Sequence, residues 1–177
     1  MTKTKDEKLL NVLTEVCNKL KIELEKDTAE PAGVCYLIGH CLAEGLSKAG
    51  FKAKEVTGHL IVKDKSEKNI VYGTAKYKGK LLGYYHTWCV IDDEIIVDPS
   101  MGYNKAFLRK HGIKLHTNIP DTIIDKNDSN WLYEFIPDEK LISQSKHFLK
   151  KIPSSFVKQL INTVNTVAIN CKMLGYE

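Results

Sequence analysis

The feature that most constrains the fold is the separation of helical and strand patterns along this 177-residue chain. Near the N-terminus, apolar residues recur every three or four positions, which predicts an amphipathic helix over residues 6–25. A second helix is predicted from about Val34 to Lys48, and a long C-terminal helix is predicted after Pro153. Helices at both ends with strands between them are typical of an α+β fold, and not of a sheet with alternating strands and helices.

Strand patterns occupy the middle of the chain, where segments rich in β-branched and aromatic residues are separated by charged or glycine-containing turns. We expect these strands to form an antiparallel sheet. The region between Pro99 and Pro137 is less regular. The predicted strands are 55–62, 70–75, 84–91, 94–98 and 131–135.

Composition limits the class of protein. A content of 43% apolar and 27% charged residues at this length is typical of one globular domain, residues 1–177. Five cysteines cannot all pair in disulfides, so we expect reduced thiols and a cytoplasmic location. No signal peptide or membrane span is expected, because no apolar run is long enough. The formal charge of +4 is spread along the chain with few interleaved aromatic residues, so no nucleic-acid partner is expected.

Cys35 is the first residue with a chemical implication, because it follows Gly33 at the start of the second predicted helix. The unpaired N–H groups of a helix N-terminus carry partial positive charge, which stabilises a thiolate and lowers the pKa of a cysteine from about 8.5. The same N–H groups can hold the oxyanion of a tetrahedral intermediate. Cysteines of this kind are also common as small buried residues, so the position alone does not establish catalysis.

A second candidate is the stretch from His86 to Asp98, which predicts a hairpin turning near Asp92. If the strands fold about Asp92, His86 lies opposite Asp98, with Cβ atoms about 4.5–5.5 Å apart. A strict two-residue turn would instead place Thr87 opposite Asp98. In the first arrangement the carboxylate accepts a hydrogen bond from one imidazole nitrogen and leaves the other for a thiol. With Cys35, the three side chains would then be nucleophile, base and orienting carboxylate.

Two blocks of the sequence resemble the transglutaminase-like superfamily. The first block has Gly33-Val-Cys35 at a helix start, a leucine-bearing helix and then Gly50. The second has His86-Thr-Trp88 followed by Val97-Asp98-Pro99-Ser100, which is similar to the H-x-W strand and D-P-[ST] partner of that family. The resemblance covers about residues 30–102, the expected core, and a C-terminal helical extension is expected over about 138–177.

The resemblance implies a papain-like core, in which the helix bearing Cys35 packs on the sheet bearing His86 and Asp98. It implies a hydrolase of amide or peptide bonds, or an acyltransferase, that works through a Cys-His-Asp triad and an acyl-thioester. We expect a peptide or protein substrate, and hydrolysis is favoured over cross-linking because nothing in the sequence points to an amine acceptor. The expected substrate-binding residues are Trp88, Tyr36 and His59. The oligomeric state is left open.

Other interpretations remain open. The chain could be a noncatalytic binding module with the same core, or an acyltransferase of the arylamine-acetylating kind, which shares the Cys-His-Asp order. No cofactor and no metal are expected, since none of the cysteines forms a C-x-x-C pair. The second hydrogen-bond donor of an oxyanion hole is unidentified. Trp88 could equally be a residue of the hydrophobic core instead of a substrate-binding residue. The remaining cysteines are expected to be packing residues: Cys17, Cys41, Cys89 and Cys171.

Overall fold

Three long helices form where the apolar periodicity predicts them. A computed structural model describes residues 4–27, 31–126 and 128–175, so residues 1–3, 28–30, 127, 176 and 177 lie outside the described part. No helix in these ranges is long and apolar enough to cross a bilayer. The helices are α1 (Lys5–Asp27), α2 (Cys35–Lys48), α3 (Met101–Lys110), α4 (Ile142–Leu149) and α5 (Ser154–Met173).

The strands of the described residues form one sheet built around a long central strand. Their order is β3-β2-β1-β4-β5-β6, and β7 also pairs with β1. Leu60 of β1 pairs with both Tyr72 of β2 and Phe135 of β7, so β2 and β7 lie on opposite sides of β1. The strands are β1 (Ala53–Lys63), β2 (Asn69–Tyr72), β3 (Lys80–Gly83), β4 (His86–Ile91), β5 (Ile95–Asp98), β6 (Ile123–Asp125) and β7 (Tyr133–Pro137).

The sheet is mixed, which corrects the prediction of an antiparallel one. β2 and β3 are parallel, with Ile70 opposite Lys80, whereas the other described pairs are antiparallel. The cause is the segment 73–79, which returns along β2 before β3 begins instead of closing a hairpin. The sequence does not reveal β3 because its first two residues are exposed and the strand lacks an alternating apolar pattern.

Some elements lie in the region where the sequence shows no regular pattern. Helix α3 and the short strand β6 both fall between Pro99 and Pro137. Within α3 only Met101 and Leu108 are buried, so the apolar stripe is too short to be recognised as periodic. The helical extension expected over 138–177 contains a short 3₁₀ helix (Glu139–Leu141), then α4 and α5.

The hydrophobic core lies on both faces of the sheet. On one face, α1, α2 and α5 bury residues such as Leu20, Leu42 and Val164, each 0% exposed. On the other face, Trp88 and Phe135 lie at the centre of a second cluster that includes residues of α3. Helix α2 contacts β4 and β1 on one side and α5 on the other, so the helix that begins with Cys35 is held between two layers.

Candidate active site

Cys35 is the first residue of α2, where the sequence predicts the helix start. The turn before it uses Gly33, whose φ of +69° lies in the left-handed region that favours glycine. No side chain of the described residues caps this helix start, and the first N–H groups of any α-helix have no intrahelical partner. These N–H groups are available to an oxyanion beside Cys35, which is partly exposed.

His86 and Asp98 form a buried ion pair at the ends of adjacent strands. His86 Nε2 and Asp98 Oδ2 are 2.7 Å apart, and both residues are 1% exposed. The other carboxylate oxygen of Asp98 accepts two hydrogen bonds from Ser100, one from the backbone N–H at 2.9 Å and one from the hydroxyl at 2.6 Å. The carboxylate is therefore fixed in orientation, and its bond to Nε2 leaves Nδ1 as the imidazole nitrogen available to a thiol.

The hairpin that carries this pair has neither of the two predicted registers. Its turn takes three residues, 92–94, and the register extended to the end of β5 puts Asp98 opposite Trp88 instead of His86 or Thr87. His86 lies two residues before Trp88 on β4, on the same face of the sheet. It therefore reaches the Asp98 carboxylate diagonally. Two of the turn residues are aspartates with φ of 53° and 60°, a conformation that aspartate tolerates better than most residues. The predicted contact forms, but by a different geometry.

The Cys35 thiol lies close enough to the His86 imidazole to affect its pKa. Burial by itself lowers the pKa of His86, but the charge and hydrogen bond of Asp98, with a hydrogen bond and the charge of Cys35, raise it to about 10. Burial raises the pKa of Asp98, yet the charge and hydrogen bond of His86 and the bonds from Ser100 hold it below its usual value. Near neutral pH, this arrangement favours an imidazolium beside the Asp98 carboxylate.

The other four cysteines are buried, as predicted, and all five thiols are free. Burial raises the pKa of Cys17 and of Cys41 to about 12. It also raises the pKa of Cys89 and of Cys171. Thiols with raised pKa values are poor nucleophiles at neutral pH, so none of these four is a candidate for the nucleophile.

Trp88 and His59 are almost fully buried in the core, which corrects their prediction as substrate-binding residues. Trp88 is 2% exposed, packs edge-on against Phe135 at 5.1 Å and lies nearly parallel to the His86 ring at 6.2 Å. It supports the imidazole from the core. His59 is 0% exposed, and its Nε2 lies 2.9 Å from Asp138 Oδ2. Both are buried because β1 and β4 are central strands with packing on both faces.

Tyr36 lies beside Cys35, and two aromatic residues that the sequence patterns did not reveal join it. The ring centroid of Phe148 lies 5.7 Å from that of Tyr36 and 6.2 Å from that of Tyr85. Burial, followed by the charge of Cys35, raises the pKa of both tyrosines. The position of Tyr85 directly before His86 was an available signal, but no local pattern connects Phe148 with this site.

Tyr72 and Ser100 complete the surroundings of the imidazole, and neither was predicted as a site residue. The ring centroid of Tyr72 is 6.0 Å from that of His86, and burial, with the charges of Cys35 and Asp98, raises the pKa of its phenol. Ser100 belongs to the Asp-Pro-Ser block of the sequence. A serine two residues after an aspartate is a turn signal that predicts its hydrogen bonds to the carboxylate.

Two side chains of types that can bind zinc, those of His40 and Cys41, have other contacts. His40 Nδ1 lies 3.0 Å from Glu55 Oε2, and Cys41 packs against α5. Across residues 4–27, 31–126 and 128–175, no group of three or more histidine, cysteine, aspartate or glutamate side chains could hold a metal ion. The expectation that the protein needs no metal or cofactor stays a prediction.

Comparison with known proteins adds information on the fold. No protein-family model matches the chain, and no curated protein matches it significantly. The chain is similar to a solved protein described as "The crystal structure of genomics APC5867", with a TM-score of 0.53 and 13% identity. The similarity covers 95% of this chain and 79% of that chain. At this identity the likeness is one of fold alone, and the chain is an α+β protein with a mixed sheet and flanking helices.

Proposed function

We propose that this protein is a thiol-dependent hydrolase of amide or peptide bonds. Cys35 is the nucleophile, His86 carries the proton and Asp98 orients and charges the imidazole. The observation that carries this proposal is the buried contact of 2.7 Å between His86 and Asp98, next to a partly exposed cysteine at a helix N-terminus. A peptide or protein is the proposed substrate.

The first half of the reaction forms an acyl-enzyme. The Cys35 sulfur attacks the amide carbonyl carbon, and the carbonyl oxygen becomes an oxyanion that the N–H groups at the start of α2 can stabilise. The carbon–nitrogen bond then breaks, and the leaving amine takes its proton from the imidazolium of His86. The products of this step are a free amine and a thioester on Cys35.

The second half releases the acyl group to water. Neutral His86 accepts a proton from a water molecule as its oxygen attacks the thioester carbonyl, and the carbon–sulfur bond breaks. A carboxylic acid leaves, and the thiolate and imidazolium are restored. Asp98, held by Ser100, stabilises the imidazolium throughout and does not itself need to accept a proton.

A transglutaminase-like, papain-like core is part of the same proposal. It is supported by a helix that begins with the nucleophile and packs on the two strands bearing His86 and Asp98. The order of these three residues along the chain and their local motifs support it as well.

Alkylation kinetics test the proposal even while the natural substrate is unidentified. With iodoacetamide at pH 7, we expect Cys35 to react more than about 10-fold faster than Cys171, because Cys35 is partly exposed beside His86 whereas Cys171 is buried and its pKa is raised. Peptide mapping by mass spectrometry gives both rates from one sample. We expect His86→Ala to slow the alkylation of Cys35, and p-nitrophenyl acetate to leave an acetyl group on Cys35 of the wild type.

Cys171→Ala is the matched control, because it removes a buried thiol of α5 and should leave the rate at Cys35 unchanged. If Cys35 reacts no faster than Cys171 in the folded protein, the thiol is not activated and the proposal fails. That result would favour a noncatalytic binding module with the same fold.

A further inference from the structure

Three aromatic rings form a continuous surface beside the proposed nucleophile. Tyr36 directly follows Cys35 at the start of α2, and Tyr85 directly precedes His86 at the start of β4. Both rings meet Phe148 of α4, Tyr36 at 5.7 Å with a tilt of 32° and Tyr85 at 6.2 Å with a tilt of 22°. We call Tyr36, Tyr85 and Phe148 the aromatic wall.

The helix that carries Phe148 is fixed to the sheet by buried polar contacts. Ser145 lies almost one helical turn before Phe148 and is 1% exposed. Its hydroxyl accepts a hydrogen bond from the Thr87 hydroxyl at 3.2 Å and donates one to a carboxylate oxygen of Glu55 at 3.3 Å. Thr87 is the neighbour of His86 on β4, so α4 and the imidazole are attached to the same strand.

The aromatic wall is open to a ligand. Phe148 is 41% exposed, and both tyrosines are only partly buried. Exposed Lys151 holds its ammonium 5.3 Å over the Phe148 ring centroid, and its flexible side chain can be displaced. An aromatic ring of a ligand would find partners for edge-to-face or offset contacts at the usual centroid distances of about 4.5–7 Å.

We infer that the aromatic wall binds an aromatic side chain on the acyl part of the substrate, the part whose carbonyl bonds to Cys35. The inference rests on the proposed function and names its substrate class: peptides in which Phe, Tyr or Trp contributes the reacting carbonyl. The acyl part is chosen because it is the part that becomes covalently attached to Cys35, and the wall begins at the next residue, Tyr36. The two tyrosine hydroxyls add polar groups that can bond to a peptide backbone.

Two aldehydes that differ only in this side chain test the inference. An aldehyde adds reversibly to a reactive cysteine: a sulfur–carbon bond forms, the carbonyl π bond opens and the oxygen takes the proton, which gives a hemithioacetal. We compare N-acetyl-phenylalaninal with N-acetyl-alaninal by their protection of Cys35 from iodoacetamide. We expect the phenylalanine compound to protect at a concentration at least about 10-fold lower, because hydrophobic subsites discriminate side-chain size by about that factor or more.

Substitutions in the aromatic wall test whether its residues cause the preference for the phenylalanine aldehyde. We expect Phe148→Ala to reduce the ratio of the two protection constants toward one; because both constants are measured on the same variant, the ratio does not depend on its iodoacetamide rate. Phe107→Ala is the matched control, since Phe107 is a phenylalanine of α3 that is 46% exposed and lies outside the wall. If Phe148→Ala does not fold by circular dichroism, Tyr85→Ala takes its place in the same comparison.

The outcomes separate this inference from the proposed function. If Cys35 is reactive and both aldehydes protect it equally, or if the ratio survives in Phe148→Ala and Tyr85→Ala, the aromatic subsite is wrong and the hydrolase proposal stands. If Cys35 reacts no faster than Cys171 and neither aldehyde protects it, the proposed function and this inference both fail. The subsite is supported if the wild type prefers the phenylalanine aldehyde, Phe148→Ala loses this preference and Phe107→Ala keeps it.

Discussion

The buried pair with Asp98 favours the protonated form of His86. Asp98 binds one ring nitrogen, and Cys35 also contributes to the raised pKa of the imidazole. Burial would favour a neutral ring, so the raised pKa of His86 means that the effects of Asp98 and Cys35 together outweigh the loss of solvent. Ser100 contributes indirectly, since its two hydrogen bonds stabilise the charged form of the carboxylate.

The first prediction at this scale is that His86 stays protonated in the folded protein well above neutral pH. Its pKa is raised from 6.5 to about 10, so the Cε1–H resonance should keep its imidazolium position through pH 8 and shift only as the pH approaches 10. An NMR titration of ¹³C-labelled histidine measures this, with His86→Gln to identify the signal. A resonance that titrates near 6.5 would contradict the charged pair.

The same shift predicts a pH dependence of stability. A histidine whose pKa is higher in the folded state stabilises the protein fully below its unfolded value of 6.5, and this contribution is lost as the pH rises from 6.5 through about 10. We therefore expect the difference in unfolding free energy between the wild type and His86→Gln to shrink between those pH values. Urea unfolding at several pH values measures the difference, and a constant difference would disprove the linkage.

At the scale of the elements, two glycines set the position of α2. A Cβ atom at Gly39 would lie 2.7 Å from the Thr87 methyl group and 3.2 Å from the Trp88 backbone nitrogen, so the helix lies directly on β4 at this point. A Cβ atom at Gly45 would lie 2.5 Å from the Val164 side chain, so the helix is equally close to α5. The distance between the nucleophile and the strand bearing the base depends on the first contact.

We predict that Gly39→Ala reduces the reactivity of Cys35 by about 10- to 100-fold, because the added methyl group moves α2 away from β4 and small displacements of reacting groups have effects of this size. The iodoacetamide rate of Cys35 measures the effect. Gly45→Ala is the matched control on the same helix: overpacking against α5 should cost about 1–3 kcal/mol of stability and leave the rate nearly unchanged. Equal loss of rate in both variants would show that the Gly39 contact has no special role.

At the scale of the whole molecule, the two-sided core protects four of the five thiols. Cys17, Cys41 and Cys89 are 0% exposed and Cys171 is 8% exposed, all within the cluster that α1, α2 and α5 form with the sheet. Because residues from both ends of the chain form this cluster, the buried thiols should become accessible only when the helices separate from the sheet.

We therefore predict that one thiol per chain reacts rapidly with a disulfide reagent in native buffer, and that the other four react only as the protein unfolds. Their rates should increase with guanidinium in parallel with the loss of helical circular dichroism. Cys35→Ala should remove the rapid phase and leave the slow phase intact. Two or more rapid thiols in the wild type would mean that part of this core opens without global unfolding.

The sequence predicts local features of this structure better than it predicts the pairing of strands. Short-range patterns predict the three long helices, the start of α2 at Cys35 and the strand positions of His86 and Asp98, because these depend on residues a few positions apart. The register of the hairpin was not predictable, since a three-residue turn and a two-residue turn fit the same pattern. The parallel pairing of β3 was missed for a similar reason: pairing partners are chosen by contacts distant in sequence.

The sequence by itself determined which side chains could do the proposed chemistry: a thiol at a helix start, a histidine on a strand and a carboxylate followed by Pro99 and Ser100. Only the tertiary structure decided that Trp88 and His59 are buried, because burial depends on what covers each face of the central strands. It also decided that Phe148 lies near Tyr36, since buried polar contacts between α4 and the sheet bring distant residues together. Chemical type is local, whereas accessibility and neighbours are properties of the packed molecule.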